Sequence, residues 1–164
     1  MRQVPRDWRS RDLLIDANIL VLYLVGSLDP SLISKHKRTN QFGVKDYRLL
    51  DDVVRQFKKL VATPNVLTEA SNMVAQIGGK ETVTRLRVVL ARIVEALDEH
   101  YVPSTQASKV EEFRRLGLTD AALLFLAKQD RLLVLTDDRH LYDALQKRGI
   151  AAINFHHLRE EAWG

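Results

Sequence analysis

Short apolar runs alternate with longer amphipathic stretches along this chain. The apolar runs predict strands over residues 12–15, 60–63, 101–102, 131–135 and 149–154. Between them, apolar residues recur at helical spacing and predict helices over 17–26, 65–77, 81–99, 119–128 and 138–148, with a short polar helix after Pro103. Strands separated by helices pair in parallel through right-handed crossovers. The pattern therefore predicts a three-layer α/β/α sandwich with a mainly parallel central sheet.

One stretch follows neither period. Residues 27–45 carry the basic cluster Lys35-His36-Lys37-Arg38 and are predicted to form an irregular, mobile loop. With the helix that follows, this loop makes up an insertion over residues 27–52. No internal repeat and no linker rich in Pro or Gly divides the chain, so we expect a single domain over residues 1–164 with its core in 11–155.

Composition narrows the classes of site that this chain can build. It has 164 residues, 25 Lys and Arg against 21 Asp and Glu, a formal net charge of +4 and no cysteine. The lack of cysteine excludes disulfides, thiolate metal ligands and a cysteine nucleophile. With 46% apolar and 28% charged residues, the chain has the balance of an ordinary globular protein.

The apolar run over residues 13–25 follows a basic N-terminal stretch and so has the outline of a signal peptide. Asp16 and Asn18 interrupt the run, and it is shorter than the roughly 20 residues that a membrane span needs. We interpret it as buried core and expect a cytoplasmic protein that does not contact a membrane.

Four acids fall where parallel sheets usually build their sites. Asp16 directly follows the first predicted strand, and Asp138 lies just beyond the fourth. Asp120 opens a predicted helix, and Glu69 lies on the first turns of the helix after the second strand. Ligands of open α/β sheets bind outside the carboxyl ends of the strands, so these positions predict one shared acidic site.

Each acid alone has an ordinary structural explanation. Asp16, Asp120 and Asp138 fit helix caps, and Glu69 fits a solvated helix residue. The joint placement favours a site, and clustered carboxylates need a compensating charge. Mg²⁺ or Mn²⁺ would supply it, because these hard cations prefer carboxylate and water oxygens and can activate a water for attack on phosphate.

Asn18 and Thr136 lie two residues from Asp16 and Asp138, respectively. Their side chains either orient carboxylates and waters at the site or act as local caps, and the sequence favours neither interpretation.

The motifs around these acids resemble, in order, those of the PIN-domain nucleases. They are Leu14-Ile15-Asp16-Ala17-Asn18, Pro64-Asn65-Val66-Leu67-Thr68-Glu69, Leu118-Thr119-Asp120-Ala121-Ala122 and Leu135-Thr136-Asp137-Asp138-Arg139-His140-Leu141. The resemblance runs from about residue 12 to residue 155. It implies a PIN-like fold and Mg²⁺- or Mn²⁺-dependent hydrolysis of RNA, with products that carry 5′-phosphate and 3′-hydroxyl ends.

The resemblance also assigns roles. Asp16, Glu69, Asp120 and Asp138 would be the catalytic acids; Asp16, Asp120 and Asp138 would ligate metal, with the adjoining Asp137 as an extra ligand. VapC-type bacterial toxins are the commonest small members of the family, which implies a toxin role, a small antitoxin partner and a homodimer. The insertion over 27–52 separates Asp16 from Glu69 by more than in compact toxins.

Cations near the acids would be needed to hold a polyanionic substrate. Lys35, Lys37, Arg38 and Arg139 are the candidates, and Arg139 could instead pair with the carboxylates. The histidines lack metal-binding spacing, and none is predicted to be catalytic.

Other functions remain alternatives or fail on single residues. An RNA-processing PIN nuclease without a toxin role, and a catalytically silent module that binds RNA or protein, both fit the same motifs. A receiver-like phosphotransfer module would need a mid-chain aspartate with a strand-end lysine, and the chain lacks such a pair. A phosphatase with a DxD motif is excluded because Asn18 stands at its second acid.

Overall fold

The computed structural model describes residues 4–130 and 132–163. Its centre is a five-stranded sheet whose strands are β1 (Leu13–Ile15), β2 (Leu60–Ala62), β3 (Asp98–Glu99), β4 (Leu133–Thr136) and β5 (Ala152–Asn154). The strand order is β3-β2-β1-β4-β5, and every neighbouring pair is parallel. Helices flank the sheet, so the predicted three-layer α/β/α sandwich is confirmed.

The helices alternate with the strands as the apolar pattern predicts. They are α1 (Arg6–Arg9), α2 (Ala17–Leu28), α3 (Val44–Val54), α4 (Pro64–Ala75), α5 (Lys80–Ala96), α6 (Ser104–Ala107), α7 (Phe113–Leu116), α8 (Leu118–Asp130), α9 (Arg139–Lys147) and α10 (Phe155–Trp163). A 3₁₀ helix spans Pro30–Lys35. The short helices α1 and α7 and the terminal helix α10 are not predicted from the apolar pattern.

The first strand lies in the middle of the sheet. Leu13 pairs with Leu60 of β2 on one side and with Leu133 of β4 on the other, and all three residues of β1 are buried. From β1 the chain builds outward through β2 to β3, then returns to the other side of β1 with β4. The strand order therefore changes direction between β1 and β4. Open parallel sheets form their binding crevice at such a switch point.

The prediction of a third strand at Tyr101-Val102 is wrong. The backbone leaves α5 at Leu97 in an extended conformation, and the next two residues form β3 beside β2. As an edge strand of two residues, β3 tolerates acidic side chains that a central strand would not. Tyr101 is 76% exposed and Val102 is buried beyond the strand, so the apolar pair marks local burial and not a strand.

Other boundaries shift by a few residues. The helix predicted to run to residue 99 ends at Ala96, and the last predicted strand begins at Ala152 instead of Gly149. The fourth strand begins at Leu133, while Arg131 in its predicted range lies outside the described residues.

The predicted irregular loop over 27–45 contains the 3₁₀ helix and packs against the rest of the chain. Ile33, Thr39 and Phe42 are buried. Thr39 donates its hydroxyl hydrogen to the carbonyl oxygen of Ile33 over 2.7 Å, which closes the turn after the 3₁₀ helix. The insertion is therefore a folded part of the core.

In the part of the chain that the structure describes, no helix combines the length and apolar character required to cross a bilayer.

Candidate functional site

The reversal between β1 and β4 brings Asp16 beside the end of β4. Ile15 pairs with Leu135, and the amide of Asp16 donates to the carbonyl oxygen of Leu135 over 3.1 Å. Asp16 is also the N-cap of α2, where its Oδ1 accepts from the amide of Ala17 over 2.7 Å. Strand pairing and capping therefore fix this carboxylate, which is 6% exposed, at the carboxyl edge of the sheet.

Thr136 joins the ends of the two strands. Its hydroxyl donates to Oδ2 of Asp16 over 2.7 Å and accepts from the amide of Asp138 over 3.0 Å. Thr136 is fully buried, so water does not compete for either hydrogen bond. A single hydroxyl thus sets the position of two of the four predicted acids.

The two acids after β4 are held in different ways. Asp138 is the N-cap of α9, and its Oδ1 accepts from the amides of His140 and Leu141 over 2.7 and 3.1 Å. Asp137 is 8% exposed, and its Oδ1 accepts from Nδ2 of Asn18 over 3.4 Å. Both candidate orienting side chains, Thr136 and Asn18, therefore contact a predicted acid.

Asp120 brings the remaining acids into the same cluster. It lies in the first turn of α8, which packs against α4, the helix that carries Glu69. Burial, and after it the charges of Asp16, Asp138 and Glu69, together raise the pKa of Asp120 to about 8. The other three predicted acids, which come from three separate segments, therefore act electrostatically on Asp120. Glu69 itself is exposed.

Two more carboxyls at this edge of the sheet, those of Asp16 and Asp137, also have raised pKa values. Burial raises the pKa of Asp16 to about 6, against the hydrogen bonds from Thr136 and Ala17, which lower it. Burial also raises the pKa of Asp137, while the hydrogen bond from Asn18 and the nearby His156 lower it. Such a cluster favours protons or a bound cation as its counter-charge.

The donor set suits a hard divalent cation. It consists of carboxylate oxygens, and the charged groups that act on Asp120 are themselves acids. Among the described residues, no group of three or more His, Asp or Glu side chains is arranged to hold a metal ion directly. Mg²⁺ usually takes only one or two protein carboxylates and completes its shell with water, so a cluster held apart by repulsion still fits this mode of binding.

Among the contacts of the described residues, none pairs a predicted RNA-binding cation with one of the four acids. Arg38 donates through Nε and Nη2 to Oε1 of Gln76, over 2.9 and 2.6 Å, and ties the insertion to the end of α4. Arg139 is 87% exposed and lies 3.9 Å from Asp143 on its own helix. Lys35 and Lys37 are exposed.

The sequence offers no argument for His156, yet the structure places it beside the acids. It follows β5, the neighbour of β4, and its amide donates to Oδ1 of the buried Asn154 over 2.9 Å. Its imidazole lies close enough to Asp137 that its charged form would lower the pKa of that carboxyl, less than the hydrogen bond from Asn18 does and against the larger rise caused by burial. The sequence could have pointed to His156 only through its position, because it lies just after a predicted strand that is parallel to β4.

Two cavities lie elsewhere. One of about 390 Å³ is lined by the N-terminal segment, β5 and α10, and one of about 530 Å³ lies between α3 and α10. Neither lining includes any of the four acids. The acidic site is thus separate from both.

A comparison with a solved structure supports the fold. The chain is similar to PAE2754 from Pyrobaculum aerophilum, whose crystal structure aligns with a TM-score of 0.55 at 20% identity over 94% of this chain and 92% of that one. A domain of a functionally unknown protein from Methanocaldococcus jannaschii aligns with a TM-score of 0.43 at 18% identity, over 87% of this chain and 89% of that one. No protein-family model and no curated protein matches the sequence.

Proposed function

We propose that this protein is a divalent-metal-dependent endoribonuclease of the PIN type. The observation that carries the proposal is the position of Asp120, whose pKa is raised by burial and by the charges of Asp16, Asp138 and Glu69. Helix capping would account for Asp16 and Asp138 singly, but it would not bring a helix-face glutamate and a half-buried aspartate toward the same two caps. A shared ligand explains the convergence.

Asp16, Asp120 and Asp138 would hold Mg²⁺ or Mn²⁺, one or two of them directly and the others through bound waters, with Asp137 as a further ligand. The bound ion would polarise the scissile phosphate and lower the pKa of a bound water. Asp16 and Asp138 suit this role because backbone amides and Thr136 fix their carboxylates before any ligand arrives. Such preorganisation removes a reorganisation cost from the reaction.

Glu69 and Asp120 would act at the open side of the cluster. Glu69 is exposed on α4, so its carboxylate is available to accept a hydrogen bond from water at the sheet edge. Asp120 holds a proton near neutral pH in the absence of a cation and would release it when one binds.

The substrate class rests on the motif resemblance and on the charge of the surface. Lys35 and Lys37 are exposed on the insertion and are available to contact phosphates. The toxin role, the antitoxin partner and the homodimer stay predictions from the resemblance.

Cleavage of a labelled single-stranded RNA in Mn²⁺ tests the proposal. We expect the wild-type protein to cut it, EDTA to stop the reaction, and Asp16→Asn to lose activity by at least about 100-fold while the far-UV spectrum and melting temperature are kept. Asp7→Asn is the matched control, because Asp7 is exposed on α1, away from the sheet edge. Binding of RNA that chelation does not affect, without cleavage, would support the silent binding module instead.

A further inference from the structure

The terminal helix α10 begins at the same sheet edge as the acids. Asn154, the last residue of β5, pairs with Thr136 of β4, so the residues that follow each strand lie side by side. Asp137 and Asp138 follow β4, while Phe155 and His156 follow β5 and start α10. The imidazole of His156 therefore stands next to the proposed active site.

The ring of His156 is held from two directions. It stacks on Phe42 with the ring centroids 6.0 Å apart and an angle of 19° between the planes. Its Nδ1 lies 3.2 Å from Nη1 of Arg159, one turn further along α10. Phe42 is buried, so the imidazole rests on a fixed surface of the insertion.

Arg159 is itself locked by the insertion. Its Nε and Nη2 donate to the two carboxylate oxygens of Asp46 over 2.7 and 3.2 Å, and Nη2 also lies 3.3 Å from the carbonyl oxygen of Gln41. Asp46 is 5% exposed and also accepts from the amide of Gly43 and from Nε1 of Trp163. The insertion and α10 thus form one hydrogen-bonded unit around the imidazole.

The contact with Arg159 selects one tautomer. A guanidinium group only donates hydrogen bonds, so Nδ1 of His156 must accept, and the ring proton is then on Nε2. A neutral imidazole with a fixed Nε2–H next to a cluster of acids is a hydrogen-bond donor without a matching acceptor among the contacts of its ring described above. An anionic oxygen of a substrate brought to those acids would be that acceptor.

We propose that His156 is a substrate-contacting residue of this site, and that its Nε2–H donates to a non-bridging oxygen of an RNA backbone phosphate held at the acid cluster. This inference rests on the proposed ribonuclease function and extends it. It also gives the insertion over 27–52 a role, because Phe42 and Asp46 hold the imidazole and its partner Arg159 in place.

The test measures binding of a fluorescent single-stranded RNA with Ca²⁺ in place of Mn²⁺, so that the acids carry a counter-charge and under conditions in which the RNA stays intact, together with the cleavage rate in Mn²⁺. The variants are His156→Phe, His156→Asn and His156→Gln. Glutamine places an amide N–H where Nε2 stood, whereas asparagine reaches only the Nδ1 position and phenylalanine keeps the stacking alone. We expect affinity to fall about tenfold for Phe and Asn and to stay within about threefold of wild type for Gln.

His157→Phe is the matched control, because the neighbouring His157 packs edge-on against Tyr142, with a centroid distance of 5.3 Å. It should bind RNA as the wild type does. Since the donor is neutral, His156→Phe should also leave the dependence of affinity on salt unchanged, whereas loss of a phosphate-bound cation would reduce the slope by about one.

Equal affinity of His156→Phe and wild type, with a matching melting temperature, would overturn the inference. An equal loss in His157→Phe would overturn it as well. If His156→Phe melts early, the comparison of Gln with Asn decides, because a merely structural role would not follow the position of the N–H group. A wild-type protein that neither binds nor cleaves RNA would overturn the proposed function itself, which separates that failure from the failure of the histidine alone.

Discussion

The hydroxyl of Thr136 donates to Oδ2 of Asp16 over 2.7 Å, although 120 positions separate the two residues in the chain. The hydroxyl oxygen of Thr136 also accepts a hydrogen bond from the amide of Asp138 over 3.0 Å. The neighbouring strands β1 and β4 are therefore joined at their ends by the group that also orients two acids of the proposed active site.

Replacing Thr136 tests this link. Thr136→Val keeps the volume but removes the hydroxyl, which leaves Oδ2 of Asp16 without its donor. We expect Mn²⁺ affinity or the cleavage rate to fall about 10- to 100-fold, with a loss in the free energy of unfolding of about 1–3 kcal/mol. Thr136→Ser retains the hydroxyl and should recover most of the activity. Wild-type activity in the valine variant would show that the hydrogen bond does not matter for function.

The cluster should make the metal-free protein less stable as the pH rises. The pKa of Asp120 in the folded protein is about 8, above its ordinary value of 3.8, so the folded state retains a proton that the unfolded chain has already lost. The free energy of unfolding should therefore fall from about pH 4 to about pH 8. Asp120→Asn should be the more stable protein at pH 8.5, by several kcal/mol because each unit of pKa shift corresponds to about 1.4 kcal/mol, and close to wild type at pH 4.

Urea denaturation in EDTA at these two pH values measures the difference. Asp7→Asn, which removes an exposed acid from α1, controls for the change in net charge. If Asp120→Asn follows the wild type at both pH values, the carboxyls do not interact as described.

Binding of Mn²⁺ should release protons near neutral pH, because the cation displaces the proton that Asp120 holds. Calorimetry at pH 7 in two buffers of different ionisation enthalpy measures this release, which we expect to approach about one proton per protein molecule. Affinity should rise with pH for the same reason. In Asp120→Asn the release should largely disappear, and a binding enthalpy of the wild type that is independent of buffer would contradict the prediction.

The ion pair between Arg159 and Asp46 should contribute more to stability than an exposed pair. The two side chains are 26% and 8% exposed, so Arg159→Met leaves a nearly buried carboxylate without its cation. We expect a loss of about 3 kcal/mol in the free energy of unfolding. Arg55→Met removes the same type of residue from its pair with Asp51, where the arginine is 75% exposed, and should leave the free energy of unfolding nearly unchanged. Similar losses in both variants, measured by urea denaturation, would count against a special role for the pair.

Gly26 should be intolerant of alanine despite its position inside α2. A Cβ atom there would overlap the ring of Tyr47, which packs directly over the glycine. Gly26→Ala should therefore cost about 1–3 kcal/mol, although the same change in an open helix would be favourable. Gly78→Ala, where no atom lies within 4 Å of the new Cβ, is the control. In a Tyr47→Ala background the cost should vanish, and if it persists the overlap is not its cause.

The alternation of apolar runs was enough to predict the layered fold, because central strands buried on both faces are mostly apolar: β1 is so throughout and β4 up to Thr136. β3 escaped prediction because an edge strand needs no such run. Its two residues, Asp98 and Glu99, are acidic, and Lys59 lies 3.0 Å from Asp98. The apolar pattern indicates which residues are buried. It therefore predicts strands in the middle of the sheet but not at its edge.

Among the candidate site residues, the acids could be picked out from the sequence because Asp16 directly follows a strand and Asp138 lies just beyond one, while Asp120 opens a helix and Glu69 lies on the first turns of another. His156 could not be, because its position depends on the order of strands in the sheet, on a contact with Phe42 far away in the sequence, and on Arg159, which Asp46 of the insertion holds in place. The partner of Arg38 was equally hidden: only the folded chain shows that Gln76 holds it.

The strand order has a consequence for when the site comes into being during synthesis. β1 is made first but stands in the middle of the sheet, and one of its two neighbours, β4, is made last but one. Until β4 has left the ribosome, Asp16 lacks its threonine partner, and the aspartates that follow β4 do not yet exist. A growing chain that has not yet reached β4 therefore leaves one side of β1 without its partner strand, and the acid cluster can form only after the residues that follow β4 have been made.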